Sequence, residues 1–343
     1  MSTDAVAMLE QLLNGKALTE AQAGDLMRTL AEGNLAPALA GALLAALRAK
    51  GENADELRGF ATAMRELALP FRRPANVPIA DSVGTGGDGS GSFNLSTGAA
   101  LLAAACGVPM VKHGNRSVSS QSGSADVLEA LGVKLPADPQ GAENCLNHTN
   151  FTFLFAQVFH PAMKAIAPVR NAMGVRTVFN ILGPLTNPAM PPYALIGAYS
   201  LPLAKLMAEC LSGMEHIKRV FVVHGEHGWD EATPLGRFDL FDVSPGRVHQ
   251  EQRDPRDAGI VRCKAEDLQG GDAACNAQAI ADVLNRVDRG PHRDALVLGA
   301  GLLLEVTGRA PRLSEGVRLA IRALDDGDAA RFLKQLRAFS EST

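Results

Sequence analysis

Long apolar runs are missing from this chain: no stretch reaches the ~18 uninterrupted apolar residues of a membrane-spanning helix. The N-terminus, Met-Ser-Thr-Asp-Ala-Val-Ala-Met-Leu-Glu, also lacks a basic start followed by an apolar run, so a soluble, cytoplasmic protein is expected. Cysteines are few. The five (Cys106, Cys145, Cys210, Cys263 and Cys275) are odd in number, widely spaced and never arranged as CxxC, which excludes a disulfide framework and a cysteine-based zinc site. There is no basic surplus either: 33 Lys and Arg face 37 Asp and Glu, a net charge of -4, which argues against a general binder of nucleic acid or anionic membranes. No Ser nucleophile elbow, HExxH helix or Cys–His constellation occurs, so covalent catalysis is not expected. No internal repeat, linker or low-complexity segment is evident.

What is present is ample core material. A 46% hydrophobic fraction over 343 residues suits one large domain with a smaller companion. Residues 1–73 read as a helical small domain of four short helices, with capping-box spacing at Thr19/Gln22 and Asn53/Glu56. Asn14-Gly15, Gly33-Asn34 and Gly51 stop the preceding helices, and Arg72-Arg73-Pro74 marks the boundary. From residue 74 to 343 the pattern becomes α/β: strand Pro78–Val83, a helix over 96–106, a strand over 108–112 and a helix over 125–132. Further strands are expected at Phe151–Phe155, Ala194–Tyr199 and Val220–His224, with helices over the last 70 residues or so. The fold class is therefore α/β, a mainly parallel central sheet flanked by helices beside the all-helical domain.

Between the first strand and its helix lie Gly84, Gly86, Gly87, Gly89 and Gly91, interleaved with Thr85, Asp88, Ser90 and Ser92. Glycines let backbone N–H groups approach an anion, and the following helix start, Asn94-Leu95-Ser96-Thr97, adds its positive end. No Gly-Lys-Ser/Thr closes the loop, and its glycines do not open a helix, so neither the P-loop nor the dinucleotide fingerprint applies. A second loop, Lys112-His113-Gly114-Asn115-Arg116-Ser117-Val118-Ser119-Ser120 with Ser124, supplies two cations and several hydroxyls. Both loops follow strands of one βαβα unit and should open on the same crevice, where a pyrophosphate or sugar phosphate would sit. Of Arg170 and Arg176, one would clamp a carboxylate and the other fix a loop through carbonyls; the residues alone leave the choice open. Asp230-Glu231, at the end of a strand, suits Mg2+ shared with substrate phosphates. His224 and His227 raise a transition-metal alternative, although no i,i+4 histidine pair accompanies them.

Gly84-Thr-Gly-Gly-Asp88, Asn94 to Thr97, Lys112 to Arg116, Gly123-Ser-Ala-Asp126, Arg176-Thr-Val-Phe-Asn180, Gly183-Pro-Leu-Thr-Asn-Pro188 and Asp230-Glu231 together resemble the anthranilate phosphoribosyltransferases in order and spacing, over nearly the whole chain. The resemblance implies a transferase moving the phosphoribosyl group of 5-phosphoribosyl-1-pyrophosphate (PRPP) onto anthranilate, the second step of tryptophan biosynthesis. It implies a helical domain completed by a segment near 170–190, and a homodimer. Carried over by motif, Gly84, Gly87, Asp88, Ser92, Asn94, Leu95, Ser96, Thr97, the run Lys112 to Ser120 and Ser124 would hold PRPP. Ser96, Asp230 and Glu231 would hold magnesium, two ions per subunit. Asn115 and Arg170 would bind anthranilate, with Gly84, His113 and Pro184 beside it; by this analogy Arg170 takes the carboxylate. Gln157 and Phe159 depart from the family's usual Pro and Tyr. The rivals are a pyrimidine-nucleoside phosphorylase, which needs no metal pair, and a non-enzymatic nucleic-acid-binding relative; Asp230-Glu231 and the acidic charge speak against them.

Overall fold

The computed structural model describes residues 2–74, 77–116 and 121–342. Four helices come first: α1 (Ser2–Leu13), α2 (Glu20–Glu32), α3 (Pro37–Lys50) and α4 (Ala54–Glu66). Thr19 and Asn53 cap α2 and α4 through reciprocal boxes with Gln22 and Glu56, and Gly33, at φ 70°, closes α2. These caps fix where each helix begins, so the apolar faces of α2 and α4 meet along Ala23, Leu26, Met27, Leu57 and Phe60, all buried.

The α/β body follows as β1 (Ala80–Gly84), α5 (Leu95–Ala105), β2 (Met110–Gly114), α6 (Ser124–Ala130), α7 (Pro139–Thr149), β3 (Phe151–Phe155), α8 (Ala156–Phe159) and α9 (Met163–Met173). Next come β4 (Tyr193–Gly197), α10 (Leu201–Ser212), β5 (Arg219–His224), β6 (Phe238–Ser244) and β7 (Arg247–Arg253). The chain ends in α11 (Ala273–Leu284), α12 (Pro291–Val306), α13 (Leu313–Asp325) and α14 (Asp328–Glu341). The sheet runs β3-β2-β1-β4-β5-β6-β7, parallel as far as β5 and antiparallel beyond it.

The hairpin of β6 and β7 is absent from the strands expected on sequence. β6 buries Phe238, Leu240, Phe241 and Val243, but β7 is the sheet's edge and reads Arg-Val-His-Gln-Glu-Gln-Arg, so no apolar alternation announces it. Strand ends elsewhere move by a few residues: β2 begins at Met110 and runs on to Gly114, carrying Lys112 and His113 inside the sheet, where a loop was expected after residue 112.

Alternation along the strands divides the core. Leu195, Phe221, Val223 and Leu240 point to the layer of α5, α6 and α11–α14, while Ala194, Ile196, Val220, Val222, Phe241 and Val243 point to the other face. That second face is continuous with the helical domain, joined by Ile166 of α9 and by Val178, Phe179, Ile181, Leu182 and Leu185.

Candidate active site

The strand order reverses at β1: β2 and β3 build outward on one side, β4 and β5 on the other. Open α/β sheets bind ligands at such a reversal, outside the carboxyl ends of the strands. The glycine loop leaves β1 there and is tied to β4 by a Thr85 N–H donating to the Gly197 carbonyl at 3.0 Å.

The Asp230-Glu231 segment lies down over the same strand ends. A Cβ on Gly84 would stand 2.4 Å from the Asp230 carboxylate, and one on Gly197 only 1.5 Å from the Asp230 carbonyl oxygen, so bare backbone at both ends admits the acidic segment. The Gly86 N–H donates to the Asp230 carboxylate, and the Asp230 N–H donates to Asp88 Oδ2 at 3.2 Å. Three acidic residues thus meet. Burial, then the neighbouring Asp88, pushes the Asp230 carboxyl up to about 7. Burial, then Asp230, pushes Glu231 up to about 8, while Lys112 and the Ser96 N–H act to lower it. Crowded, buried carboxyls that resist ionising beside one another suit a hard divalent cation, which would stabilise their charged forms. Among the described residues no group of three or more His, Cys, Asp or Glu could by itself hold a metal ion; Mg2+ sites typically take only one or two protein carboxylates, with substrate phosphates and water as the other ligands.

Lys112 sits beneath the loops, 2% exposed, its ammonium donating to the Ser82 carbonyl and, at 3.3 Å, to the Ser96 hydroxyl. Burial lowers its pKa against the pull of Asp81 and Glu231. At the start of α5, Asn94 Oδ1 accepts from Asn276 Nδ2 at 2.9 Å and from the Ser122 hydroxyl at 3.2 Å. The Thr97 hydroxyl is buried and has no partner among the described residues. Ser92 shares a hydrogen bond with Ser90, which in turn donates to Asp88 at 3.0 Å, and Leu95 is buried beneath the loop.

Near the end of β2, His113 is buried with its Nε2 3.2 Å from His160 Nε2. Burial, then His160, brings His113 down to about 3, and burial brings His160 down to about 4. Both rings are therefore neutral at working pH, one donating to the other. Asn115 is exposed; Gly114 lies against Ser124, whose hydroxyl donates to the Asn115 carbonyl at 3.4 Å. Arg116 turns to α6, bonded to Asp126 at 2.8 Å and Glu129 at 2.7 Å and set over the Phe155 ring, so its charge is already shared. Ser117, Val118, Ser119 and Ser120 lie outside the described residues.

Arg170 and Arg176 differ in what they touch. Arg176 Nη2 donates to the Gly87 carbonyl at 2.8 Å, its guanidinium lies over Tyr199, and its own carbonyl accepts from Arg48 of α3. Arg176 is the residue that fixes the glycine loop. Arg170, in the last turn of α9, packs its guanidinium 5.3 Å from the Phe179 ring centroid and hydrogen-bonds to no side chain or carbonyl of the described residues. Pro184 is buried in a short turn whose Gly183 carbonyl lies against His113. His224 is turned to the Ala198 carbonyl at 2.9 Å.

Sequence reading passed over Asn276, Arg48 and Gly197. Asn276 follows the helix start Asp272-Ala-Ala-Cys275, and a buried amide in an otherwise apolar helix face was the available signal. Arg48 and Gly197 gave none, because their partners are distant in the chain.

The two bodies match two parts of one family: a glycosyl transferase family's helical bundle domain over residues 6–68 and its α/β domain over residues 76–330. Fold and site together define a sugar-transferring enzyme. Among curated proteins, the anthranilate phosphoribosyltransferase of an Anaeromyxobacter species is 46% identical over 330 residues, covering 96% of this chain and 97% of the relative. That of Rubrobacter xylanophilus is 43% identical over 327 residues, covering 95% of each. The crystal structure of the enzyme from Thermus thermophilus superposes with a TM-score of 0.90 at 43% identity, covering 97% of this chain and 99% of that one. The enzyme from Saccharomyces cerevisiae, in complex with PRPP and Mg, gives 0.90 at 25% identity, covering 100% and 99%. The chain belongs to the anthranilate phosphoribosyltransferase family.

Proposed function

We propose that this protein transfers the phosphoribosyl group of PRPP to the amine of anthranilate, giving N-(5-phosphoribosyl)anthranilate and pyrophosphate, the second step of tryptophan biosynthesis. The observation that carries the reading is the meeting of the glycine loop, the α5 N-terminus, Lys112 and the buried Asp88, Asp230 and Glu231 at the reversal point of the sheet. A PRPP and Mg complex of the yeast relative supports it.

In this reading the glycine loop (Gly84, Gly87, Asp88, Ser92), Asn94 to Thr97, Lys112 to Ser120 and Ser124 hold PRPP. The Thr97 hydroxyl, buried without a partner among the described residues, is a donor suited to a substrate oxygen. Ser96, Asp230 and Glu231 hold two Mg2+ per subunit, which neutralise the charge of the departing pyrophosphate. Asn115 and Arg170 take the anthranilate carboxylate, beside Gly84, His113 and Pro184; a guanidinium with no hydrogen bond to the described residues suits a planar carboxylate. The aromatic amine is neutral near pH 7, so it needs orientation more than a strong base. Its attack is limited by departure of pyrophosphate, which leaves an oxocarbenium-like ribose, and fixed donors around the leaving oxygens lower that barrier. The neutral His113–His160 pair adds no positive charge next to the developing cation.

We further assign a cytoplasmic homodimer, joined through the helical domains. The test of the main reading is phosphoribosylanthranilate formation from the two substrates, with and without Mg2+. Alanine at both Asp230 and Glu231 should abolish most turnover with the fold intact. Full activity of that double variant, or of the wild type in excess chelator, would remove the metal assignment, and dependence on inorganic phosphate would point to the nucleoside phosphorylase chemistry instead.

A further inference from the structure

The Asn115 side chain sits at the exposed mouth of the second loop, where an amide can rotate and present either end. Two contacts decide which. The Arg116 backbone N–H lies 2.8 Å from Asn115 Oδ1, and a backbone N–H can only donate, so that atom is the carbonyl oxygen. Gln157 Nε2, from the first turn of α8, reaches the same oxygen at 3.3 Å. Because Asn115 Oδ1 accepts, Gln157 must present its own NH2 there, and both amides are fixed by one backbone group. With the oxygen serving two donors, the Asn115 NH2 is the only polar part of that side chain left for a ligand. It makes no hydrogen bond to the described residues.

The rest of the loop is braced as well. Arg116 is anchored on Asp126, Glu129 and Phe155, two residues before Gln157, so the segment 114–116 is held between α6 and the end of β3. Among the described residues, Gln157 is the one hydrogen-bond partner of the Asn115 side chain from outside its own loop. From this geometry we infer that Gln157 is a positioning residue for the acceptor: it holds Asn115 with its NH2 presented as a donor, selecting acceptors that carry a carboxylate or carbonyl at that point. The inference rests on the proposed binding of anthranilate by Asn115 and says how that binding is set.

Gln157 is exposed, so its replacement leaves the core untouched. Steady-state constants for both substrates on wild type, Asn115→Ala, Gln157→Ala, Gln157→Glu and the double Ala variant make the test. A neutral hydrogen bond of ~0.5–1.5 kcal/mol corresponds to a roughly 2- to 13-fold rise in the anthranilate KM for Gln157→Ala, with the PRPP KM and the thermal midpoint unchanged. Gln157→Glu, which cannot donate, should be impaired at least as much. In the Asn115→Ala background, removing Gln157 should add nothing. Additive effects would overturn the inference, since Gln157 would then act on the substrate directly. So would a Gln157→Ala or Gln157→Glu variant matching wild type, or an Asn115→Ala variant with an unaltered anthranilate KM. Failure of the underlying function is distinct: the wild type itself would then form no phosphoribosylanthranilate.

Discussion

At the scale of single residues, two arginines near one another in sequence do separate jobs, and their partners tell them apart. Arg176 is engaged by the Gly87 carbonyl and by the Tyr199 ring, whereas the Arg170 guanidinium packs beside Phe179 with no hydrogen bond to the described residues. A charge-assisted pair is worth ~1.5–3 kcal/mol, so Arg170→Ala should raise the anthranilate KM roughly 10- to 150-fold and leave the PRPP KM nearly unmoved. Both constants measured on one variant check it; equal damage to both would make Arg170 a purely structural residue. The buried histidines give a pH prediction. In the unfolded chain each imidazole gains its proton near pH 6.5, but in the folded state His113 does so only near about 3 and His160 near about 4. The unfolded state therefore binds more protons below 6.5, and the stability this pair contributes is full above that pH and lost as the pH falls toward 4. NMR of labelled histidine should show neither ring titrating between pH 8 and pH 5. A midpoint near 6 for either would mean a charged imidazole in the pair.

At the scale of elements, the glycine loop is shaped from two sides. Gly86 and Gly87 both hold positive φ, 67° and 73°, but a Cβ on Gly86 meets nothing within 4 Å, whereas one on Gly87 falls 2.5 Å from Arg176 Nη2. Asparagine tolerates this backbone region, so Gly86→Asn should preserve the fold, while Gly87→Val combines backbone strain with displacement of Arg176 and should lose PRPP binding. Calorimetry with PRPP reads the outcome; unchanged affinity in Gly87→Val would reduce the loop to a spacer. The loop itself was legible because glycines and hydroxyls cluster in one short segment, and so were the strands whose apolar runs are buried on both faces. The β6–β7 hairpin was not, since half of it is a polar edge strand, and β2 reads as ending at Lys112, with His113 in the loop, because polar residues inside a buried strand contradict the usual alternation. Likewise, the hold of Arg48 on the Arg176 carbonyl and of Asn276 on Asn94 joins elements that only the fold brings together.

At the scale of the whole molecule, the helical domain keeps apolar side chains in the open. Val6 and Leu13, seven residues apart on one side of α1, are 46% and 65% exposed, and Val175 beyond α9 is 53% exposed. Leu13→Asp should convert the proposed dimer to a monomer by light scattering while circular dichroism stays unchanged. A wild type already monomeric at micromolar concentration would remove the assignment.

The helical domain is also not closed by its own four helices. Its core takes in Ile166 and residues from Val178 to Leu185, which leave the ribosome only after β3, and then one face of β4 and β5. A nascent chain that has made α1–α4 thus carries a hydrophobic surface with no cover for more than half of the time needed to synthesise the sheet's parallel strands. Translation speed through that interval, and chaperone occupancy during it, should govern the yield of native protein more than the stability of the finished fold does.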